Sequence, residues 1–259
     1  MRHFAVIGDP VEHSRSPELY NRLFELNKID ADFVKHRVAS SELVSFMELY
    51  AHAYDGFAVT MPHKRAILPC LDRIDASARD CGSVNIVKRF CTELVGYNTD
   101  GLGLVNALTD MGFEPSGSTV AILGRGGAAL AAAHALKNRG ADVTLLVRSV
   151  GMSAQTEALP FKQALFDQYA VHCDAFINAT PLGMSGFSGF TDYEFIDKLS
   201  PALIFDMVYL STGETGLIKE ARERGISAES GSSMLKHQAL LAFKIWFGAD
   251  VLLPPVKLL

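Results

Sequence analysis

Cysteine is scarce in this chain of 259 residues: Cys70, Cys81, Cys91 and Cys173 stand apart, with no C-x-x-C pair. That spacing offers neither a structural zinc site nor a disulfide framework, and the expectation is of buried, reduced thiols. No apolar run approaches the roughly 20 residues that a membrane-spanning helix needs. The apolar run near the start is also too short for a secretory signal, so a cytoplasmic setting is expected. Positive charge is not in excess, since 24 Lys and Arg stand against 29 Asp and Glu for a formal net charge of -5. A mildly acidic surface argues against nucleic acid or an anionic membrane as the main partner and leaves a small molecule. No internal repeat and no low-complexity linker interrupts the chain.

What is present is apolar content, 49% of residues, enough for two modest domains with cores of their own. His3 to Ile7 is a short apolar run closed by Gly8-Asp9-Pro10, the pattern of a buried strand opening into a loop. Ser16-Pro17 then starts a helix whose apolar face is Leu19, Leu23, Phe24 and Leu26. A strand near Asp32 to Val38, a helix near Ser41 to Ala53 and a strand at Gly56 to Val59 continue a βαβ alternation, which implies a parallel sheet. Ser83 to Val87 and Glu93 to Gly96 read as a hairpin, with Lys88-Arg89 in its turn region. Beyond a helix from about Leu102, four apolar strand candidates follow at Thr119 to Leu123, Asp142 to Val147, Ala175 to Asn178 and Leu203 to Phe205. Ser232 to Phe247 reads as one final amphipathic helix.

The strand at Thr119 to Leu123 runs into Gly124-Arg125-Gly126-Gly127-Ala128-Ala129 and an alanine-rich helix, the context of a dinucleotide-binding turn. Gly124 permits the tight turn, Gly126 lets the backbone approach a pyrophosphate, and Ala129 is the small residue where helix and strand pack closely. The helix start offers amides and partial positive charge to phosphate. Glycine-rich turns also exist for packing alone, and the strand and helix flanks favour the nucleotide. The next strand ends in Val147-Arg148-Ser149, where an NAD enzyme usually carries Asp or Glu, so a 2′-phosphate and hence NADP is favoured over NAD. Arg125 reads equally as a solvated surface residue or as a partner of a cofactor phosphate.

In the first half, Ser14 and Ser16 flank Arg15 in the loop after the first strand, where their hydroxyls suit a carboxylate and where Ser16 also suits a helix cap. Thr60-Met61-Pro62-His63-Lys64 follows another strand end, the edge at which ligands gather in open α/β sheets. Alone, Lys64 would be a solvated charge, and Asp100 in Asn98-Thr99-Asp100-Gly101 would by default cap the next helix. His13 and His63 are read as exposed or packed residues. No cluster of histidines and cysteines indicates a metal.

Together these segments resemble the shikimate dehydrogenase family in order and spacing. The blocks are G-D-P-V-E-H-S-R-S-P at Gly8 to Pro17, V-T-M-P-H-K at Val59 to Lys64, G-S-V-N at Gly82 to Asn85 and N-T-D-G at Asn98 to Gly101. They continue as L-G-R-G-G-A at Leu123 to Ala128, N-A-T-P-L-G-M at Asn178 to Met184, D-M-V-Y at Asp206 to Tyr209 and G-S-S-M-L-K-H-Q-A at Gly231 to Ala239, spanning nearly the whole chain. The resemblance implies a two-domain α/β protein: a substrate domain with a mainly parallel sheet over residues 1–101 and 232–259, and a Rossmann-like NADP domain over residues 102–231, with the last helix returning to the first domain. It implies reversible NADPH-dependent reduction of 3-dehydroshikimate to shikimate, in aromatic amino-acid biosynthesis, by a monomer or homodimer. By position, Ser14 and Ser16 would bind the substrate carboxylate, while Thr60, Asn85, Asp100 and Gln238 would hold its ring hydroxyls and Tyr209 would lie at the same pocket. Gly124, Arg125, Gly126, Gly127, Ala128, Arg148 and Ser149 would meet the NADP phosphates, with Met207 and Gly231 near the nicotinamide. Lys64 is expected to manage the proton, partnered by Asp100, because an ammonium both stabilises a developing alkoxide and donates to it.

Some positions depart from the usual family pattern. Ala58 replaces asparagine, Tyr20 stands where histidine is frequent, Ile86 follows Asn85 in place of threonine, Arg125 replaces a small residue, and Val147 replaces asparagine. A quinate/shikimate dehydrogenase is the alternative within enzymes. A catalytically weak, dehydrogenase-like binding protein is the alternative outside them.

Overall fold

Along β1 (Arg2–Gly8), Ala5 and Ile7 belong to one core while Phe4 and Val6 alternate to the other face, and all four are buried. The strand is therefore covered on both sides, as its continuous apolar run foretells. The computed structural model describes residues 1–147, 158–160 and 172–248. Two compact units emerge, Met1–Gly103 with Lys236–Leu259 and, between them in sequence, Leu104–Leu235.

In the first unit the chain runs through β1, α1 (Ser16–Leu26), β2 (Ala31–Arg37), α2 (Leu43–Leu49), β3 (Gly56–Val59), α3 (His63–Ala66), β4 (Arg73–Ile74), α4 (Ala76–Arg79), β5 (Ile86–Phe90) and β6 (Glu93–Tyr97) into α5 (Asp100–Asp110). The strands form one sheet in the order β2-β1-β3-β5-β6-β4. The β2, β1 and β3 strands are parallel, β3, β5 and β6 are antiparallel in turn, and β4 runs parallel to β6. At the β2 edge, the Asn21 amide of α1 donates to Phe33 O at 2.9 Å while Phe33 N donates to Asn21 Oδ1 at 2.8 Å.

The hairpin differs from the expectation: Lys88 and Arg89 are not its turn but lie on β5, and the chain reverses at Cys91, whose φ is 56°. Their charge is held by groups distant in sequence. Lys88 Nζ donates to Ile245 O at 2.7 Å, and Arg89 bonds Tyr54 O and Asp55. The thiols also differ in part, because Cys91 is exposed and Cys70 is half-buried, whereas Cys81 and Cys173 are buried and all four are free. Burial pushes the Cys173 thiol up to about 12 and raises Cys81, which leaves both unreactive.

The second unit carries β7 (Thr119–Leu123), α6 (Gly127–Lys137), β8 (Asp142–Val147), β9 (Ala158–Pro160), β10 (Ala175–Asn178), α7 (Glu194–Leu199), β11 (Leu203–Asp206), α8 (Gly216–Glu223) and β12 (Ser227–Ser230). The sheet order is β12-β11-β10-β7-β8-β9, and every pair is parallel. This is the doubly wound dinucleotide-binding order, with its switch point between β7 and β10.

Helix α9 (Gly231–Phe247) begins in the second unit and ends in the first, where Trp246 lies 4.8 Å from Phe4 between ring centroids and donates through its indole to Val87 O at 3.0 Å. The last helix thus returns to the first sheet.

Candidate active site

Four chain segments converge on one edge of the first sheet because of strand direction alone. The loops after the parallel β1 and β3 leave that edge, and the antiparallel β5 begins there while β6 ends there. Direct bonds confirm the meeting: Asp9 N donates to Met61 O at 2.9 Å, and Val59 N donates to Asn85 O at 2.7 Å. The Asp9–Pro10 and Met61–Pro62 peptides in these loops are both cis.

Lys64 sits on the short helix α3. Its carbonyl accepts from Val84 N at 2.7 Å, and its Nζ donates to Asp100 Oδ2 at 2.5 Å. The pair is largely shielded from water, with side-chain exposures of 18% for Lys64 and 6% for Asp100. The two residues lie 36 apart in sequence. Asp100 is free for this because it is not the cap of α5. Asn98 takes that role, its Oδ1 accepting from Asp100 N at 3.0 Å and Gly101 N at 3.4 Å.

Asn85 orders the remainder of the group. Its Oδ1 accepts from Thr99 N at 2.8 Å, so its Nδ2 must be the end that faces Asp100 Oδ1 at 2.8 Å and Thr99 Oγ1 at 2.9 Å. The same Nδ2 reaches Gln238 Oε1 at 3.4 Å, and Thr99 Oγ1 reaches that oxygen at 3.3 Å. Lys64, Asp100, Asn85 and Gln238 therefore form one contiguous polar set.

Ser16 is buried and Ser14 half-buried in the loop before α1, and Ser14 Oγ accepts from Ser16 N at 3.3 Å. Ser16 is not the helix cap, because Arg15 holds that position with no side-chain bond to the helix. Thr60 is half-buried at the end of β3, its N–H donating to Ile7 O at 2.9 Å. His13 is exposed, whereas His63 is buried with its Nε2 on Val38 O at 2.6 Å, so both follow the plain readings.

Thr99 and Asn98 were not singled out from sequence, although one joins the hydrogen-bonded set and the other liberates Asp100. The available signal was an asparagine two residues before the start of a helix, which prefers a capping position.

In the second unit, Gly124 has a positive φ of 128° at the switch point, and a β-carbon there would lie 3.0 Å from Ala179 O. Gly126 differs: its φ of -77° is ordinary, and an added β-carbon would meet nothing within 4 Å. Helix α6 starts at Gly127 with Ala128 behind it, and no side chain caps its first turn. Ala129 is fully buried against the strands. Arg125 is half-buried, while Arg148 and Ser149 lie outside the described residues.

Past β11, Met207 and Tyr209 are half-buried, and Met207 N donates to Asn178 O at 2.9 Å. A side chain at Gly231 would collide with the Met207 carbonyl, so glycine is required where α9 begins. Asp206 beneath them is wholly buried. It accepts from Asn178 Nδ2 at 2.9 Å, Val208 N at 3.1 Å and Thr215 Oγ1 at 2.6 Å, and burial pushes its carboxyl up to about 6 despite those bonds. Among the described residues no group of three or more His, Cys, Asp or Glu could hold a metal ion.

Comparison with known proteins adds names. The family profile described as the shikimate dehydrogenase substrate binding domain matches residues 6–87. A shikimate dehydrogenase (NADP(+)) of Geobacter metallireducens is 38% identical over 96% of this chain and 92% of its own. Among solved structures, shikimate dehydrogenase 1 of Peptoclostridium difficile superposes with a TM-score of 0.87 at 25% identity, covering 100% of this chain and 95% of that one. The shikimate 5-dehydrogenase of Thermus thermophilus, solved in complex with NADP(H) and shikimate, gives 0.82 at 28% identity, covering 97% and 95%.

Proposed function

The chain belongs to the shikimate dehydrogenase family, and from that premise we propose how its residues share the work. It is an NADP-dependent oxidoreductase that interconverts 3-dehydroshikimate and shikimate. NADPH, when bound, supplies the hydride, which leaves the protein to manage substrate orientation and one proton.

Lys64 is the proton donor in the direction of reduction. As the carbonyl carbon gains hydride, its oxygen becomes an alkoxide, and the Lys64 ammonium stabilises and then protonates it. In oxidation the neutral amine takes that proton back. Asp100 holds the Lys64 nitrogen in place and accepts a bond from an adjacent ring hydroxyl. The observation that carries this reading is the Lys64–Asp100 contact of 2.5 Å, shielded from water and backed by Asn85.

Ser14 and Ser16 take the substrate carboxylate, Thr60, Asn85, Asp100 and Gln238 take its ring hydroxyls, and Tyr209 is counted with them. Gly124 to Ala128 receive the cofactor pyrophosphate, Arg148 and Ser149 its 2′-phosphate, and Met207 and Gly231 adjoin the nicotinamide. Support for the phosphate site is the contrast between its glycines. Gly124 is needed by the chain itself, whereas neither backbone angle nor neighbouring atoms require glycine at 126, which leaves ligand approach as the reason. A cytoplasmic monomer or homodimer without nucleic-acid or membrane partners completes the reading. It rests on the acidic charge balance.

The test is to follow NADPH formation with shikimate, then with quinate, and then with NAD in place of NADP. Shikimate with NADP should give the highest kcat/KM. A preference for quinate would replace the substrate, and turnover orders of magnitude below ordinary enzymes despite tight binding would point to a sensor.

A further inference from the structure

Helix α3 carries Lys64 but has only four residues, too few to keep its shape or direction unaided. What fixes it comes from outside. On one side the Lys64 carbonyl accepts from Val84 N at 2.7 Å. On the other stands His63, 1% exposed, whose Nε2 lies 2.6 Å from Val38 O. A carbonyl oxygen only accepts, so Nε2 carries the ring hydrogen and donates it, and Nδ1 is the bare nitrogen. Nδ1 is buried and has no hydrogen-bond partner among the described residues. An apolar side chain would fill this place without leaving a nitrogen unpaired, so filling space does not by itself account for an imidazole here.

The Val38 peptide is a firm point of attachment. Its N–H donates to Gly8 O at the end of β1, at 3.1 Å, and its side chain is buried among Leu43, Phe46 and Met47 in the core. Backbone bonds to the same strand end hold the turn before α3: Thr60 N donates to Ile7 O, and Asp9 N to Met61 O, each at 2.9 Å. The next amide, that of His63, is spent within the turn, on Thr60 O at 2.9 Å. It is the His63 ring that carries the attachment onward from the strand ends to the helix, and Lys64 is the following residue.

We propose that His63 is a positioning residue for Lys64, its ring fixing the direction of α3 and so the place of the Lys64 nitrogen beside Asp100. The inference rests on the assignment of the proton to Lys64. His63 acts through the backbone and transfers no proton itself. A helix free to turn would leave the Lys64 side chain more ways to sit, few of them aligned with the reacting oxygen, so the loss falls on turnover rather than on binding.

The experiment compares His63→Gln, His63→Leu and Lys64→Ala, with His63→Leu made also in the Lys64→Ala chain, by steady-state kinetics and thermal unfolding. Glutamine offers an N–H at the same distance along the side chain as Nε2, and leucine offers none. His63→Leu is expected to lower kcat about tenfold to a hundredfold, with KM for shikimate and for NADP within about threefold. His63→Gln should return kcat to within about threefold of wild type. In the Lys64→Ala chain, His63→Leu should change the residual rate less than about twofold. If His63→Leu does not fold, His63→Asn, whose amide falls one bond short of Val38, takes its place in each comparison. A kcat within about twofold of wild type in the donor-free variant overturns the proposal, as does a His63→Gln variant no faster than it. A rise in both KM values in step with a fall in Tm, at unchanged kcat, overturns it too and leaves His63 a packing residue. If Lys64→Ala itself keeps a near-wild-type rate, the assignment of Lys64 fails first, and His63 falls with it.

Discussion

Each unit buries a carboxylate at the carboxyl edge of its sheet, and the two are handled in opposite ways. Asp100, 5% exposed, faces an ammonium at 2.5 Å and one amide, so its charge is matched by a charge. Asp206, with no exposure, faces only neutral donors from Asn178, Val208 and Thr215, and its carboxyl is pushed up to about 6. At Asp206 three hydrogen bonds from neutral donors do not offset the loss of water around the carboxylate. The first arrangement sets an ammonium and a carboxylate side by side within the polar set of Asn85 and Gln238. The second holds still the strand end from which Met207 and Tyr209 emerge.

Removing the cation should have the largest effect. Lys64→Ala is expected to lower turnover by about 10²–10⁴-fold while shikimate binding stays nearly intact, read from kcat and from equilibrium titration. A variant of near-wild-type rate would end the proton-donor assignment.

The neutral-donor site is broken through pH. The raised carboxyl of Asp206 binds its proton more tightly folded than unfolded, so its stabilising contribution is full below the ordinary 3.8 and is lost as pH rises through about 6. Urea unfolding at pH 4 and pH 7 should show wild type losing about 2 kcal/mol relative to Asp206→Asn, whose side chain does not titrate. A constant difference across that interval would mean that the carboxylate is better solvated than its burial indicates.

A smaller effect separates ligand from packing in the glycine turn. Gly126→Ala should raise KM for NADP about tenfold, or about 1.4 kcal/mol of binding, and leave Tm unchanged because the added methyl meets open space. An unchanged KM for NADP would mean that no phosphate approaches there.

Legibility followed the range of the interactions involved. Strands covered on both faces, such as Phe4 to Ile7 and Ala175 to Asn178, announce themselves as apolar runs, and the glycine turn after β7 is local to its strand and helix. Three strands escaped: β12, whose sequence Ser-Ala-Glu-Ser has no apolar run, β4, which is two residues long, and β9, which is three. All three are short, and each lies at the edge of its sheet, where burial imposes little pattern. Lys88 and Arg89 misled for a different reason, since their partners at Ile245 and Asp55 are invisible to local composition. The same holds for the site. Lys64 and Asp100 could be singled out by motif, but that Asn98 caps α5 and frees Asp100 is a matter of hydrogen-bond geometry.

The paired bonds between Asn21 and Phe33 bear on how this protein behaves in a crowded solution. β2 is an outermost strand, and an outermost strand ordinarily offers its free amides and carbonyls to any extended peptide that drifts past, the first step towards aggregation. At Phe33 that offer is withdrawn, because a side chain from α1 already occupies both groups as a further strand would.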